Sequence, residues 1–116
     1  MDIAAELSEH RGFPMLYLSG EIDVAAEQLL ADRLGQLVDG HRCAILHVND
    51  LTYADANALS MLLRTKQTFN SRGGMLAFVC CDAQVLRVLR TLGMLSNIDT
   101  FDDIDEVAAY LTAHCD

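Results

Sequence analysis

The stretch LTYADANALSMLL, residues 51–63, decides the fold because it contains a change from strand to helix. The residues just before it, CAILHV at 43–48, are apolar at nearly every position, which is typical of a strand covered on both faces. After Asp55 the leucines recur at helical spacing, and this pattern predicts a helix over residues 57–71. In folds that alternate strands and helices, binding sites gather where strands end. Asp55 and the residues that follow it are therefore the first candidates for a functional site.

The rest of the chain alternates strand and helix patterns, and its 116 residues suit one domain. A turn at Arg11 and Gly12 separates the first two strand patterns, which predicts a hairpin. The predicted strands lie at about 2–9, 13–19, 43–48, 75–80 and 97–100, and the predicted helices begin after Asp23, near Asn57, after Asp82 and after Thr100. The expected order ββαβαβαβα predicts an α/β domain with a mixed, mostly parallel sheet and helices packed on it.

The charge balance limits the classes of partner. Seventeen acidic side chains against eight basic ones give a net charge of −9, which argues against nucleic acid binding because that binding depends on neutralising phosphates. The first ten residues, MDIAAELSEH, lack the basic and apolar regions of a signal peptide. The longest apolar run, MLAFVCC, is far shorter than the roughly 20 residues of a membrane span. We therefore expect a cytoplasmic protein with no direct membrane insertion.

The cysteines and histidines do not have the spacing of a disulfide framework or a metal site. We expect the four cysteines to be thiols, with those in strands buried. Cys43 and Cys115 each lie close to a histidine, but no second pair of ligands follows at metal-binding spacing. The acidic cluster at residues 102–106 lacks the glycine and spacing of a calcium loop, and its charges suit the start of a helix. No metal and no cofactor are expected.

Asp55 is a poor candidate for catalysis. A hydrolase needs a nucleophile and a base, but Ser60 is expected one turn inside the helix with no histidine near it. A phosphoreceiver aspartate needs an acidic pair for a metal and a lysine near the last strand, whereas the one lysine, Lys66, falls in the predicted second helix. We therefore expect no enzyme activity and predict that Asp55 caps the helix. A phosphoreceiver at Asp55 is kept as an alternative.

Four stretches of the chain resemble the STAS domain of bacterial anti-sigma factor antagonists, also called anti-anti-sigma factors. LSGEID at 18–23 resembles the end of a family strand, and LTYADANAL at 51–59 resembles the family's signature loop. VLRVLRTLGMLSNI at 85–98 and TFDDIDEVAAYL at 100–111 resemble its two later helices. Because all four occur in order and at compatible spacing, the resemblance implies a single STAS domain over residues 1–116.

The resemblance implies a protein-interaction module. Members bind an anti-sigma factor, often a kinase-type one, and so release the sigma factor for transcription. The kinase phosphorylates a serine or threonine at the start of the second helix, and the phosphate expels the antagonist. Asn57 corresponds to that phosphoacceptor, and Ala58 to a family glycine. The residues that the resemblance assigns to partner binding are Asp23, Asp55, Ala56, Asn57, Ala58 and Leu59.

This sequence departs from the family at the phosphoacceptor. Asparagine at position 57 cannot accept a phosphate, so the hypothesis is an antagonist that is not switched there, with Ser60 as the weaker alternative acceptor. A second reading keeps the fold and makes the chain a STAS subunit of a lipid-type ABC transport complex. Apolar side chains at Met15, Met61 and Phe69 leave room for a homodimer.

Overall fold

The computed structural model describes residues 3–80, 90–91 and 100–115 of the chain. The described part forms an α/β domain in which helices pack on a five-stranded sheet. The elements, in chain order, are β1 (Ala4–His10), β2 (Phe13–Ile22), α1 (Glu27–Val38), β3 (Cys43–Ala54), α2 (Ala56–Ser71), β4 (Met75–Val79), β5 (Thr100–Phe101) and α3 (Ile104–His114). Of the predicted helix after Asp82, only positions 90 and 91 are among the described residues, and both are helical; positions 97–99 of the predicted last strand lie outside them.

The sheet has the strand order β1-β2-β3-β4-β5, so every strand lies beside its neighbours in sequence. β1 and β2 pair antiparallel, and each later pair is parallel, which confirms the predicted mixed, mostly parallel sheet. The hairpin turns at Arg11 and Gly12, whose φ angles are 51° and 89°. Two successive positive φ angles are the geometry of the tight turn that matches strand twist, and the glycine adopts it without a steric penalty.

The core lies on both faces of the sheet. Alternate residues of the central strands pack against α1 and α2 on one face, where Leu30, Leu62 and Phe69 are fully buried. The opposite face of β3 and β4 packs against Val107 and Leu111 of α3. Continuous apolar runs in these strands predict that both faces are covered, and the burial of residues 43–46 and 76–79 confirms this. Each such leucine or phenylalanine side chain stabilises the fold by about 1.5–3 kcal/mol.

The burial of Phe69 corrects one sequence-based expectation. Phe69 is one of the apolar positions expected to leave room for a homodimer, but none of its surface is exposed. It lies on the core side of α2, while Met15 and Met61 are half-buried at the edges of the two core clusters. A dimer contact through Phe69 would require α2 to leave the sheet.

Two element boundaries also differ from prediction. β3 continues to Ala54 although the apolar run stops at Val48, because its polar second half still pairs with the end of β2. Thr100 lies in β5, in agreement with the predicted strand that ends there, but it does not cap the last helix as also predicted. Asp103 is the cap of α3, and its side chain accepts a hydrogen bond from the Asp105 backbone N–H.

The cysteine prediction is wrong for two of the four residues. Cys43 and Cys115 are paired as a disulfide, although 72 positions separate them in sequence. The pairing follows from the fold. The last helix packs on the face of β3 that carries Cys43 and Ile45, and the C-terminal end of this helix reaches the start of the strand. Cys80 is fully buried, as expected for a cysteine at the end of a core strand. In the described part of the chain, no helix has the length and apolarity that a membrane crossing requires.

Candidate functional site

The ends of β2 and β3 meet the starts of two helical segments at one corner of the sheet. Ile22 and Ala54 are paired in the parallel register, and the backbone N–H of Asp55 donates to the carbonyl oxygen of Ile22 over 3.0 Å. The residues that follow the two strands are therefore neighbours in space. We call this the strand-end corner, and it comprises Asp23, Glu27, Asp55, Ala56 and Asn57.

Asp55 caps α2, as the sequence predicts. Its Oδ1 accepts a hydrogen bond of 2.8 Å from the Ala58 backbone N–H, and its carbonyl oxygen accepts one of 3.0 Å from Leu59. Such a cap stabilises a helix by about 1 kcal/mol. The carboxylate is half-buried and already engaged with the helix, so its first role is structural.

Asp23 caps a short 3₁₀ turn, whereas the sequence predicts that it caps the first α-helix. Its Oδ1 accepts from the Ala25 backbone N–H over 3.1 Å, which starts a single 3₁₀ turn at Val24–Ala26. The α-helical part begins only at Glu27, one turn later than the sequence suggests. This turn leaves Asp23 exposed and brings Glu27 to the corner.

The predicted partner-binding residues divide into exposed and buried groups. Asp23, Ala56 and Asn57 are exposed, and Asp55 is half-buried. Ala58 and Leu59 belong to the core, with exposed fractions of 0% and 7%. These two side chains hold α2 against the sheet and do not face solvent. Position 58 lies in the first turn of α2, and alanine favours a helix over glycine by up to about 1 kcal/mol.

Glu27 belongs to the corner and was missed by the sequence reasoning. Its carboxyl group interacts with the side chains of Asp55 and Asn57. The hydrogen bond with Asp55 is the main cause that raises the pKa of Glu27, followed by desolvation and by the charge of Asp55. Its Oε2 atom is buried without a hydrogen-bond partner. One sequence signal could have indicated Glu27: it lies four residues after Asp23, and residues four apart lie on the same side of a helix.

Two large apolar side chains are exposed beside the corner. Val24, directly after Asp23, is 78% exposed, and Tyr53, two residues before Asp55, is 53% exposed. Aromatic residues are enriched at protein interfaces, and exposed apolar surface often marks them. The sequence pattern did not single them out, because the ends of β2 and β3 come together only through the register that pairs these strands.

A groove leads from the corner along the boundary of α1 and α2. Its first part has a volume of about 370 Å³, and the residues that line it are Glu27, Gln28, Ala31, Asn57, Ser60, Met61 and Arg64. A second part of about 290 Å³ continues past Met61 and Arg64 to Gly35, Val38 and Thr68. The groove therefore joins an acidic end, an apolar middle and one arginine.

The side chains of the corner and the groove are mainly hydrogen-bonding and apolar groups. Within residues 3–80, 90–91 and 100–115, no group of three or more histidine, cysteine, aspartate or glutamate side chains is arranged to hold a metal ion. Ser60 lines the groove, and the neighbouring side chains there are glutamate, glutamine, asparagine, methionine and arginine. Asn57 is exposed at the start of α2, and the exposed side chains of Val24 and Tyr53 follow and precede corner residues in the sequence.

Comparison with known proteins agrees with this fold. The family model of the STAS domain matches residues 4–107. An anti-sigma F factor antagonist from Paenibacillus polymyxa is 24% identical over 105 residues, which cover 89% of this chain and 90% of the relative. The crystal structure of an anti-sigma factor antagonist from Mycobacterium paratuberculosis superposes with a TM-score of 0.81 at 21% identity, covering 99% and 96% of the two chains.

A further solved structure extends the comparison to a phosphorylated protein. The Bacillus cell fate determinant SpoIIAA in its phosphorylated form superposes with a TM-score of 0.73 at 16% identity, covering 94% of this chain and 99% of that one. The sheet order, the helix positions and the match over residues 4–107 lead to one conclusion. This chain belongs to the STAS domain family.

Proposed function

We propose that this protein is an anti-sigma factor antagonist that docks on an anti-sigma factor through the strand-end corner and the adjoining groove. The observation that carries the proposal is the exposed surface around the start of α2. Val24, Tyr53 and Ala56 offer apolar contact there, and Asn57 offers uncharged hydrogen-bonding groups. The names of the relatives support the class of partner, since both proteins compared by sequence or crystal structure are anti-sigma factor antagonists.

The same corner explains how this chain would differ from a phosphorylation-controlled antagonist. A phosphate adds a charge of about −1.5 to −2 at pH 7 and expels a docked partner by repulsion and bulk. Asn57 occupies the exposed position expected for the phosphoacceptor and has no hydroxyl group. We infer that docking is not switched by phosphorylation at this position. The protein would then behave as a permanently unphosphorylated antagonist in the cytoplasm.

A phosphoreceiver role for Asp55 is disfavoured by its contacts. The carboxylate accepts the capping hydrogen bond from Ala58 and interacts with the carboxyl group of Glu27. An oxygen that already accepts the capping hydrogen bond is less available as the nucleophile for a phosphate. We therefore propose a binding role without catalysis. Membership of a transport complex stays a separate prediction, which capture of a transport ATPase subunit would favour.

Affinity capture from the native cell tests the proposal with a matched pair of variants. Asn57→Asp adds a negative charge to the corner, and Asn70→Asp adds the same charge to the exposed far end of α2. We expect Asn57→Asp to reduce capture of an anti-sigma factor at least about tenfold, because an uncompensated charge at a desolvated contact is costly. Asn70→Asp should bind as the wild type does. An acid at the second helical position favours the helix, so loss of folding is not the expected cause.

Two results would contradict the proposal. Equal capture by Asn57→Asp and the wild type would mean that the corner is not the docking surface. Incubation of the wild type with a captured kinase and ATP, followed by mass spectrometry, tests the absence of the switch. A phosphate on Ser60 or Thr52 that weakens capture would show that control has moved to a neighbouring hydroxyl.

A further inference from the structure

The two ends of α3 are held to the rest of the protein in different ways. At its start, Asp105 pairs with His10 over 3.2 Å and with Arg11 over 3.1 Å, which fastens the helix to the β1–β2 turn. In its middle, Val107 and Leu111 are completely buried against the sheet. These contacts are non-covalent, and they end one turn before the helix does.

The last turn of α3 depends on Cys115 for its attachment. Thr112, Ala113 and His114 are exposed, and the ring of His114 stacks on Tyr110 of the same helix at 4.1 Å. The Cys115 backbone N–H donates to the Leu111 carbonyl oxygen over 2.8 Å, which is also a contact within the helix. Among the described residues after Leu111, only Cys115 packs against the core cluster between α3 and the sheet.

The partner of Cys115 lies at the other end of the sheet from the strand-end corner. Cys43 is the first residue of β3, is 6% exposed, and faces the α3 side of the sheet. The Cα atoms of the pair are 6.6 Å apart, within the range of about 4.4–6.8 Å that disulfides span without backbone movement. Ala54, the last residue of β3, is eleven strand steps or roughly 36 Å away along the strand.

We propose that Cys43 and Cys115 form a reversible redox latch, closed by low-molecular-weight disulfides and opened by thiols, that fastens the last turn of α3 to the start of β3. The reversibility rests on the cytoplasmic location that goes with the proposed function, since disulfides in a reducing cytoplasm are typically transient or redox-sensing. The two sulfur atoms differ in access, because Cys115 is half-buried at a helix end and Cys43 is buried. External thiols therefore reach Cys115 first.

The exchange chemistry balances without any further reactant. A thiolate attacks Sγ of Cys115, a mixed disulfide forms, and the Cys43–Cys115 bond breaks as Cys43 leaves with the electron pair and takes a proton from water. A second thiolate attacks the sulfur of the external thiol in the mixed disulfide. This releases Cys115 as a thiol, again with a proton from water, and forms an external disulfide. Two electrons have passed to the protein, and the closing reaction is the reverse.

Opening the latch should loosen one end of α3 and leave the docking surface intact. The bond closes a loop that contains β3, α2, β4, β5 and α3, so the unfolded chain is less constrained once it is cut. Locally, the last turn loses its attachment to the sheet, while Asp105 still holds the start of the helix. The capped start of α2 at Asp55 takes no part in these contacts.

The experiment compares the full-length protein in oxidised and reduced glutathione buffers. Peptide mapping without reductant should find Cys43 linked to Cys115 in the oxidised sample only. Hydrogen exchange of residues 112–115 should become about tenfold faster on reduction, the melting temperature should fall, and exchange at residues 56–60 should not change. Cys115→Ser, at an accessible helix end, should match the reduced wild type in both buffers, and Cys43→Ala provides a second unlatched variant.

Three results would overturn the latch. Both cysteines could remain open to alkylation after treatment with oxidised glutathione, or either could be found linked to Cys80 or Cys81 instead. Equal exchange of residues 112–115 in the two buffers would show that the bond does not hold the helix end. None of these results bears on the docking proposal, because the capture experiment depends on the opposite end of β3.

Discussion

Glu27 is a residue whose protonation the fold changes. Its hydrogen bond with Asp55 raises the pKa of Glu27 above the ordinary value of 4.5, and desolvation and the negative charge of Asp55 act in the same direction. A carboxyl group with a raised pKa in the folded state binds its proton more tightly there than in the unfolded chain. Its contribution to stability is therefore present below the ordinary pKa and is lost as the pH rises through the raised pKa.

This linkage predicts that Glu27→Gln stabilises the protein at neutral pH. The amide carries no charge, so folding no longer places a second carboxylate beside Asp55. Melting temperatures measured between pH 4 and 7 should show a gain for Glu27→Gln that is largest at pH 7 and disappears toward pH 4. Glu9→Gln, on the exposed face of β1, should show no such pH-dependent gain. A lower melting temperature for Glu27→Gln at pH 7 would contradict the assigned carboxyl pair.

At the scale of elements, local signals predicted α2 better than they predicted β3. The cap at Asp55 and the leucine spacing placed the start of α2 within one residue of its position at Ala56. The end of β3 was missed because its polar second half is a strand only through pairing with β2, and such pairing depends on the partner strand. The cap of the last helix is Asp103 and not Thr100, because β5 continues to Phe101 through its pairing with β4.

The turn between α2 and β4 yields a prediction with an internal control. A Cβ atom on Gly74 would lie 1.7 Å from the carbonyl oxygen of Arg42, which is a backbone atom and cannot move aside cheaply. A Cβ atom on Gly35, inside α1, meets nothing within 4 Å. We expect Gly74→Ala to lower the free energy of unfolding by about 1–3 kcal/mol and Gly35→Ala to raise it by up to about 1 kcal/mol.

Urea unfolding curves of the two alanine variants measure these changes directly. Both substitutions add one methyl group, so any general effect of removing glycine from the unfolded chain is shared. If Gly74→Ala is as stable as Gly35→Ala, the close approach of Arg42 to the α2–β4 turn is incorrect. A destabilised Gly35→Ala would instead mean that the groove between α1 and α2 closes over this position.

At the scale of the whole molecule, the sequence could predict only part of the candidate site. Asp55 and Asn57 were found because they follow a recognisable strand directly. Glu27, Val24 and Tyr53 join them only through the register that sets Ile22 beside Ala54 and the 3₁₀ turn that shifts α1. Neither feature has a local signature, because each is fixed by contacts between distant segments. The Cys43–Cys115 pair escaped prediction for the same reason.

The net charge of −9 makes the whole fold sensitive to salt. The radius of gyration is 12.8 Å, whereas the Debye length is about 30 Å at 0.01 M salt and about 8 Å at 0.15 M. At the lower ionic strength every acidic group therefore repels every other across the molecule, and at the higher one only neighbours interact. We expect the melting temperature to rise by a few degrees when sodium chloride increases from about 0.01 to 0.15 M.

A variant with fewer charges separates this repulsion from other effects of salt. Glu6→Gln combined with Glu9→Gln removes two of the seventeen acidic groups from the exposed β1 surface without touching the core. Its melting temperature should exceed that of the wild type at low salt. The two melting temperatures should converge at 0.15 M, because salt then screens the repulsion that destabilises the wild type. A melting temperature that falls on adding salt would mean that attractive pairs, such as those of Asp105 with His10 and Arg11, outweigh the repulsion between like charges.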